Sequence, residues 1–460
     1  MSIRGVSRNV AISPIGYKDL KPEETFVPAH IELRNGRLTD AGHWIKRYGY
    51  TEKWDITIDN PIDLLIPEST GYAVSESGRV FFLPGITEYT GATLSGTFRP
   101  QWANHQGTII ICDGGAPVKI ATGNTSLLGG SPPNAKYVAT LDSYVLMAGH
   151  LDTTFRWSAA GNSASWPAAN YNDVLSEGEV IKYMCVDGRD LYFFKSKSIE
   201  VWVNIGGATV WARKIMIKKG SGASYSIVKA NDTLYWFGDD GDFYVLDGIS
   251  PKVISKSYRA ELDKLVGKSS IYGYDFREEG LVRWFAPIDG KCFVFDYTKN
   301  LFSEDNTWAS GEFGRMPFNS QMVLDGETYV GDYNNTGLIY HWDKDYVTDN
   351  GGEIRVLRQF LVPLSSDETM SRVNRLRVRV KRGVATATET SPVAQIRWRF
   401  DQDDWGNYED IDLGAAGDRN PYIDICGLGI GSELSIEILE TDAVEFLVTG
   451  LMLTVEALGR

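Results

Sequence analysis

Cysteine and histidine are scarce, with four and five in 460 residues. Cys112, Cys185, Cys292 and Cys426 lie far apart, each in an apolar strand-like run, which excludes a disulfide framework or zinc motif of close spacing and leaves buried free thiols as the expectation. The histidines (His30, His43, His105, His150, His341) form no HExxH, no HxH pair and no Cys/His cluster. No metal or cofactor is therefore expected, although a site assembled from residues distant in sequence stays open. No run of about 18 apolar residues occurs, which excludes a membrane-spanning helix. The opening stretch MSIRGVSRNVAISPIG has no apolar core of a secretory leader, so the expected compartment is a cytoplasm. Cationic excess is missing too. Lys and Arg number 46 against 60 Asp and Glu, a net charge of −14, and gripping nucleic acid through its phosphates needs the opposite balance.

Catalytic signatures are equally sparse. No GxSxG elbow and no GxxxxGK[ST] loop occur. CGLGIGSEL carries Gly427, Gly429 and Gly431 but lacks the last glycine of a dinucleotide fingerprint and the surrounding βαβ unit, so it reads as a turn between strands. Long 3.6-residue periodicity is nearly absent. The best helical candidate is Ser257 to Val266, where Leu262 and Leu265 share a face.

What the chain has is glycine (47 residues), aromatic side chains (12%) and short alternating apolar runs, the punctuation of an all-β protein. Strand–turn–strand units begin at His105, Leu141, Asp187, Asn231, Glu278 and Asp325, roughly 36 to 47 residues apart, the recurrence of propeller blades. A fragment from Ser75 reads as a further half-blade. In the Asn231 unit, Thr233, Tyr235 and Phe237 point one way and Leu234 and Trp236 the other; past the turn, Phe243 and Val245 alternate with Tyr244 and Leu246. Both faces are apolar, so both must be covered, as they are for a blade wedged between two others. The expected fold is all-β: a propeller of about six blades, with seven as the alternative, over residues 51–350, and a C-terminal β-sandwich over 351–460. The boundary is the turn-rich Thr348 to Gly352, beyond which strands lengthen. Residues 1–50 hold eight basic residues (Arg4, Arg8, Lys18, Lys21, Arg34, Arg37, Lys46, Arg47) against five acids and read as an extended arm, either disordered or docked on a partner, with part of it completing a blade.

Three charge features deserve weighing. Asp239, Asp240 and Asp242 share one hairpin tip, and Asp401, Asp403 and Asp404 share another beside Trp405. Their spacing matches neither an EF-hand loop nor an Asp-box turn, and Asp is an ordinary tight-turn residue, so structure is expected over calcium binding or glycoside chemistry. In RVNRLRVRVKRG, Arg375, Arg377, Arg379 and Lys381 alternate with Leu376, Val378 and Val380. That strand has one cationic face, which is either solvated or a seam against an acidic neighbouring subunit.

The run from Leu141 to about Ser255 resembles the packaged-DNA stabilisation, or tail nozzle, proteins of short-tailed bacteriophages. The landmarks are Phe155-Arg156-Trp157-Ser158, Ser165-Trp166, Ser198-Ile199-Glu200-Val201-Trp202, Lys219-Gly220 and Trp236-Phe237-Gly238-Asp239-Asp240-Gly241, then Gly331-Asp332-Tyr333 and Ile339-Tyr340. Their order covers about residues 135 to 345, with the C-terminal EILETDAVEFLVTGLMLTVE following more loosely. The resemblance implies a virion protein without catalytic residues: a ring of identical subunits, typically six, below the portal and its adaptor. Such a ring continues the DNA channel, helps retain the genome and docks fibres, spikes or a needle. It would sit in the virion tail after assembly in the host cytoplasm, with double-stranded DNA passing through without tight binding. Arg375, Arg377, Arg379 and Lys381 are then candidates for a subunit interface, and Arg4 and Arg8 for a docking arm. The other readings are a carbohydrate-binding propeller and a propeller glycosidase or lyase using Asp401 to Asp404.

Overall fold

A computed structural model describes residues 7–11, 29–58, 60–83, 85–121, 123–149, 153–175, 178–207, 209–364 and 370–458. They are almost entirely strand, and the single α-helix among them is Arg259–Asp263, where Leu262 and the following Leu265 turn inward. The alternation read from the Asn231 unit explains the packing directly. Tyr235, Phe237 and Phe243 pack against Val282, Trp284 and Phe293 of the next blade. Leu234, Trp236, Tyr244 and Leu246 pack against Phe194, Ile199 and Val201 of the preceding one. At about 1.5–3 kcal/mol for each buried large apolar side chain, these two faces carry much of each blade's stability.

Four-stranded blades run over 62–91, 101–127, 137–173, 183–217, 228–253 and 272–304. A further blade combines three strands within 318–343 with Gly49–Asp55 as its outer strand. The propeller thus has seven blades, not six. The extra one is the half-blade at Ser75, whose outer strand Thr87–Gly91 is polar and largely exposed. That strand pairs in parallel with the outer strand of blade two, Thr90 opposite Asn124, so it carries no apolar alternation to be read. The ring closes where Phe318–Leu324 of blade seven meets Ile62–Ile66 of blade one through Ile62, Leu65 and Met322.

The described part of the expected arm belongs mainly to the sandwich. One sandwich sheet joins Gly36–Leu38, Trp44–Lys46, Leu447–Ala457, Ser371–Val380 and Tyr422–Gly431, with Ser7–Ala11 also pairing with Leu447–Ala457. The other sheet continues blade six: Leu301–Glu304 pairs in parallel with Ala29–Arg34, followed by Val356–Pro363, Glu433–Glu440, Val393–Phe400 and Glu409–Asp412, nine strands in all. Leu376, Val378, Ile396, Ile436 and Leu453 fill the space between the sheets. Gly427 and Gly429 lie not in a turn but within Tyr422–Gly431, at φ of 73° and 138°. They accommodate a bulge against Ser371–Val380 and the approach of Phe400, whose ring atom would sit 2.7 Å from a Cβ on Gly429. Cys112, Cys185 and Cys292 are buried or partly buried free thiols, as the apolar runs suggest, but Cys426 is exposed on this strand.

Arg37, Lys46 and Arg47 face inward, at the junction between propeller and sandwich. Arg47 is fully buried; its guanidinium donates to both carboxylate oxygens of Asp349 (2.8 and 2.6 Å), to Asn35 Oδ1 (2.9 Å) and to the Tyr48 and Asn306 carbonyls (2.9 and 3.0 Å). Arg37 pairs with Glu279, which also holds Arg283 at 3.0 Å, and Arg283 reaches Asp305 at 2.9 Å. Burial opposes ionisation of Asp305, yet the Arg283, Arg37 and Arg47 guanidiniums hold its carboxyl below the ordinary value. Lys46 pairs with Glu440 at 2.7 Å. Replacing Arg47 by Leu strands Asp349 without its counter-charge, so the Arg47→Leu variant should lose about 3–5 kcal/mol in urea unfolding. The Arg47→Leu, Asp349→Leu pair should recover part of that loss; equal stability of the single variant and the parent would show the pair to be idle.

Candidate functional site

The cationic strand sits where the pattern put it. Ser371–Val380 lies between Leu447–Ala457 and Tyr422–Gly431, with Leu376, Val378 and Val380 in the core and the basic side chains on the outer face of the sandwich. The face is not uniformly free. Arg377 lies opposite Asp424 and holds it through two hydrogen bonds of 2.7 and 2.8 Å, which draw that carboxyl below its ordinary value. Lys381 pairs with Glu445, and Arg379 lies 5.7 Å from the centre of the Tyr422 ring. Arg375 adds to the field that holds Asp424 ionised. The row therefore presents Arg379 outward between two internal ion pairs, with the half-buried Arg375 beyond the first. Of the candidate arm residues, Arg8 is on a strand paired with Leu447–Ala457, opposite Val455, and Arg4 lies outside the described residues, as do Lys18 and Lys21.

The acidic tips are occupied by structure. Asp239 binds Lys197 (2.8 Å) and Lys219 (3.1 Å), Asp240 binds Lys219 (2.7 Å) and the Tyr244 hydroxyl (2.6 Å), and Asp242 binds Arg259 (2.6 Å). These bonds tie blade five to its neighbour and to the short helix. Asp401 accepts from the backbone N–H groups of Ser432 and Glu433 at 2.8 and 2.9 Å, fixing a sandwich turn.

A constellation not apparent in the sequence lies on the propeller axis, where inner strands of several blades converge on a cavity of about 580 Å³. Arg99, Gln101, Tyr183, Tyr225, Tyr274 and Asp275 contribute to its wall. Arg99 donates to the Tyr274 hydroxyl (2.9 Å) and to Asn319 Oδ1 (2.7 Å), and its guanidinium lies 4.1 Å from the centre of the Tyr272 ring. The Tyr225 hydroxyl donates to the Arg99 carbonyl at 3.0 Å, and Asn319 donates to Asp63 at 2.6 Å. The Arg99 side chain thus joins blades six and seven, its carbonyl takes the Tyr225 hydroxyl from the segment entering blade five, and Asn319 passes the link on to Asp63 of blade one. Asp275 differs from these: its Oδ1 is buried without a hydrogen-bond partner, and Arg277 approaches Oδ2 only to 3.5 Å. No spacing rule joins residues 99, 274 and 319, so the sequence offered no signal for this cluster.

No family model matches the chain, and no curated protein matches it. Among solved structures it is similar to the WD40 domain of Pan2 from Neurospora crassa, with a TM-score of 0.44, 11% identity, and 66% of this chain and 97% of that one covered. It is similar to the RRP9 WD40 repeats, with a TM-score of 0.43, 8% identity, and 65% and 99% covered. It is also similar to the extracellular domain of a hybrid two-component system from B. thetaiotaomicron, with a TM-score of 0.45, 8% identity, and 86% of this chain but only 57% of that one covered. The likeness is one of propeller architecture.

Burial pushes the Asp275 carboxyl up from its ordinary 3.8 to about 6, with Arg277 offsetting part of the effect. The folded chain then holds this proton more tightly than the unfolded chain. Its contribution to stability should be complete below about pH 4 and disappear as the pH rises through about 6. Urea midpoints compared across that window should converge at low pH for the parent and Asp275→Asn. Above pH 6 the variant should be the more stable; parallel curves would contradict this.

Proposed function

We propose that the chain is a structural subunit of the tail nozzle ring of a short-tailed bacteriophage. In this reading it continues the DNA channel below the portal and its adaptor, helps retain packaged DNA and docks fibres, spikes or a needle. The ordered landmarks that resemble the nozzle family fall on blades three, four, five and seven and the segments between them, which supports the assignment. The observation that carries it is mechanical. Propeller and sandwich share a nine-stranded sheet and a dry ion network, so two distant surfaces are held at a fixed spacing by one stiff body. A ring wall loaded by packaged DNA requires that stiffness.

On this reading the work is steric and not catalytic. An acidic wall lets duplex DNA slide, because a field of that sign repels phosphate over roughly one Debye length, ~8 Å at physiological salt. Arg375 and Arg379 supply the positive half of a contact between otherwise acidic subunits. A second reading, carbohydrate binding, is favoured by the axial cavity, whose tyrosines and Asp275 offer ring faces and an acceptor for hydroxyl donors.

Light scattering after size exclusion, with electron micrographs of the same fractions, separates the two. The parent should form rings, and Arg375→Glu, Arg379→Glu should shift them toward monomer. Its melting should change by under ~0.5 kcal/mol, as for most surface substitutions. A chain that stays monomeric while binding an immobilised glycan would replace the nozzle reading with the second. Duplex DNA should bind no tighter than micromolar at ~50 mM salt, where phosphate contacts are strongest. Sub-micromolar binding there that collapses at ~200 mM would reveal a cationic track and end the sliding-wall account.

A further inference from the structure

We propose that Glu327, His341 and Asp343, side by side on blade seven, bind a divalent transition-metal ion of the zinc class. The hairpin makes the site. Glu327–Asp332 and Leu338–Asp343 run antiparallel, with Thr328 opposite Trp342 and Tyr329 opposite His341, which carries Glu327 to the level of Asp343. His341 and Asp343 are two apart on one strand and share a face, while the intervening Trp342 is buried on the other side. The imidazole nitrogen and one oxygen from each carboxylate lie within 4.8 Å of one another. Bonds of about 2.0–2.1 Å from a tetrahedral zinc would bring such atoms to about 3.3 Å apart, which small side-chain rotations supply.

The imidazole is already held from behind. Its Nε2 faces Glu327 Oε2 at 2.7 Å, and its Nδ1 lies 3.1 Å from the Tyr346 hydroxyl. A hydroxyl can donate to Nδ1 when the proton is on Nε2. It can equally accept from Nδ1–H when Nε2 turns its lone pair to a metal. Tyr346 thus supports either tautomer, the usual task of an outer partner to a metal-binding histidine.

Charge points the same way. The three aspartates at the tip of blade five, Asp239, Asp240 and Asp242, are each bound to a lysine or arginine. Among the described residues, Glu327 and Asp343 have no such partner, and Glu327 is paired only with the histidine. Two carboxylates beside one imidazole, without a lysine or arginine to neutralise them, favour a cation, and water can complete its shell. A histidine with carboxylate oxygens suits zinc better than calcium or magnesium, which prefer all-oxygen shells. The position gives the ion a purpose. Lys344 to Val347 follow directly and, with Ile45 to Tyr48 and Glu445–Phe446, border a cavity of about 510 Å³ at the junction. An ion at Asp343 would anchor the segment on which the chain leaves the propeller.

The test uses the full chain after EDTA treatment and dialysis, titrated calorimetrically with zinc, manganese, magnesium and calcium chlorides at pH 7.5. Zinc should bind at one site with a dissociation constant of micromolar or below and raise the melting temperature by several degrees, while magnesium and calcium do neither. His341→Ala and Asp343→Asn should abolish zinc binding while keeping the circular dichroism and melting temperature of the metal-free parent. Tyr346→Phe should fold normally and weaken binding by about 10- to 100-fold, as loss of an outer partner does. Zinc binding that is absent, or that survives unchanged in His341→Ala, overturns the assignment.

Discussion

Arg47 and Asp349 form a two-pronged ion pair in a dry space, and the arrangement of the whole chain depends on it. Arg47 lies on the segment leading from sandwich to propeller, and Asp349 on the segment leading back. The pair staples the two crossings. Around it the Gly49 N–H donates to the Tyr346 carbonyl at 2.8 Å and that of Tyr50 to Thr348 at 3.1 Å. Gly49 has no alternative here, because a Cβ would stand 2.2 Å from the Thr348 carbonyl oxygen. Domains are stable by only about 5–15 kcal/mol, so an uncompensated charge at this point is a large fraction of the total.

The same junction explains which parts of the sequence could be read in advance. Blade five was legible because its alternation marks two apolar faces, and Trp236 and Phe243 went to the neighbours that the pattern demanded. Blade one was half-legible, since Thr87–Gly91 is polar and finds its pairing across to blade two. The basic residues of the first fifty misled. Cations are ordinarily solvated, and nothing local shows that Arg37, Lys46 and Arg47 meet acids some 240 to 400 positions away. On the sandwich, alternation gave the cationic face, but the Arg377–Asp424 pair depends on register between strands far apart in sequence. The axial cluster was invisible for the same reason: Arg99, Tyr274 and Asn319 come together only when the ring closes.

Acidity in this chain is therefore two things. At several tips and turns carboxylates serve geometry: Asp239 and Asp242 are bound by lysine and arginine, and Asp401 by backbone N–H groups. At the junction they balance buried guanidiniums and make the union of the two domains specific, since a buried charge tolerates only the partner that neutralises it. The nine-stranded sheet gives that union length, and the ion network gives it a fixed angle.

The closing strand of blade seven also sets a timetable for synthesis. Gly49–Asp55 emerges from the ribosome early, yet its partner Leu338–Asp343 is among the last parts of the propeller to be made. Until then the first strand waits with an open hydrogen-bonding edge, while six blades assemble behind it without a closed ring. The sandwich is delayed in the same way, because Ala29–Arg34 needs Val356–Pro363. Folding is thus concentrated at the end of translation, and a chain halted before residue 338 would leave its waiting edge free to pair with the complementary strand of another copy.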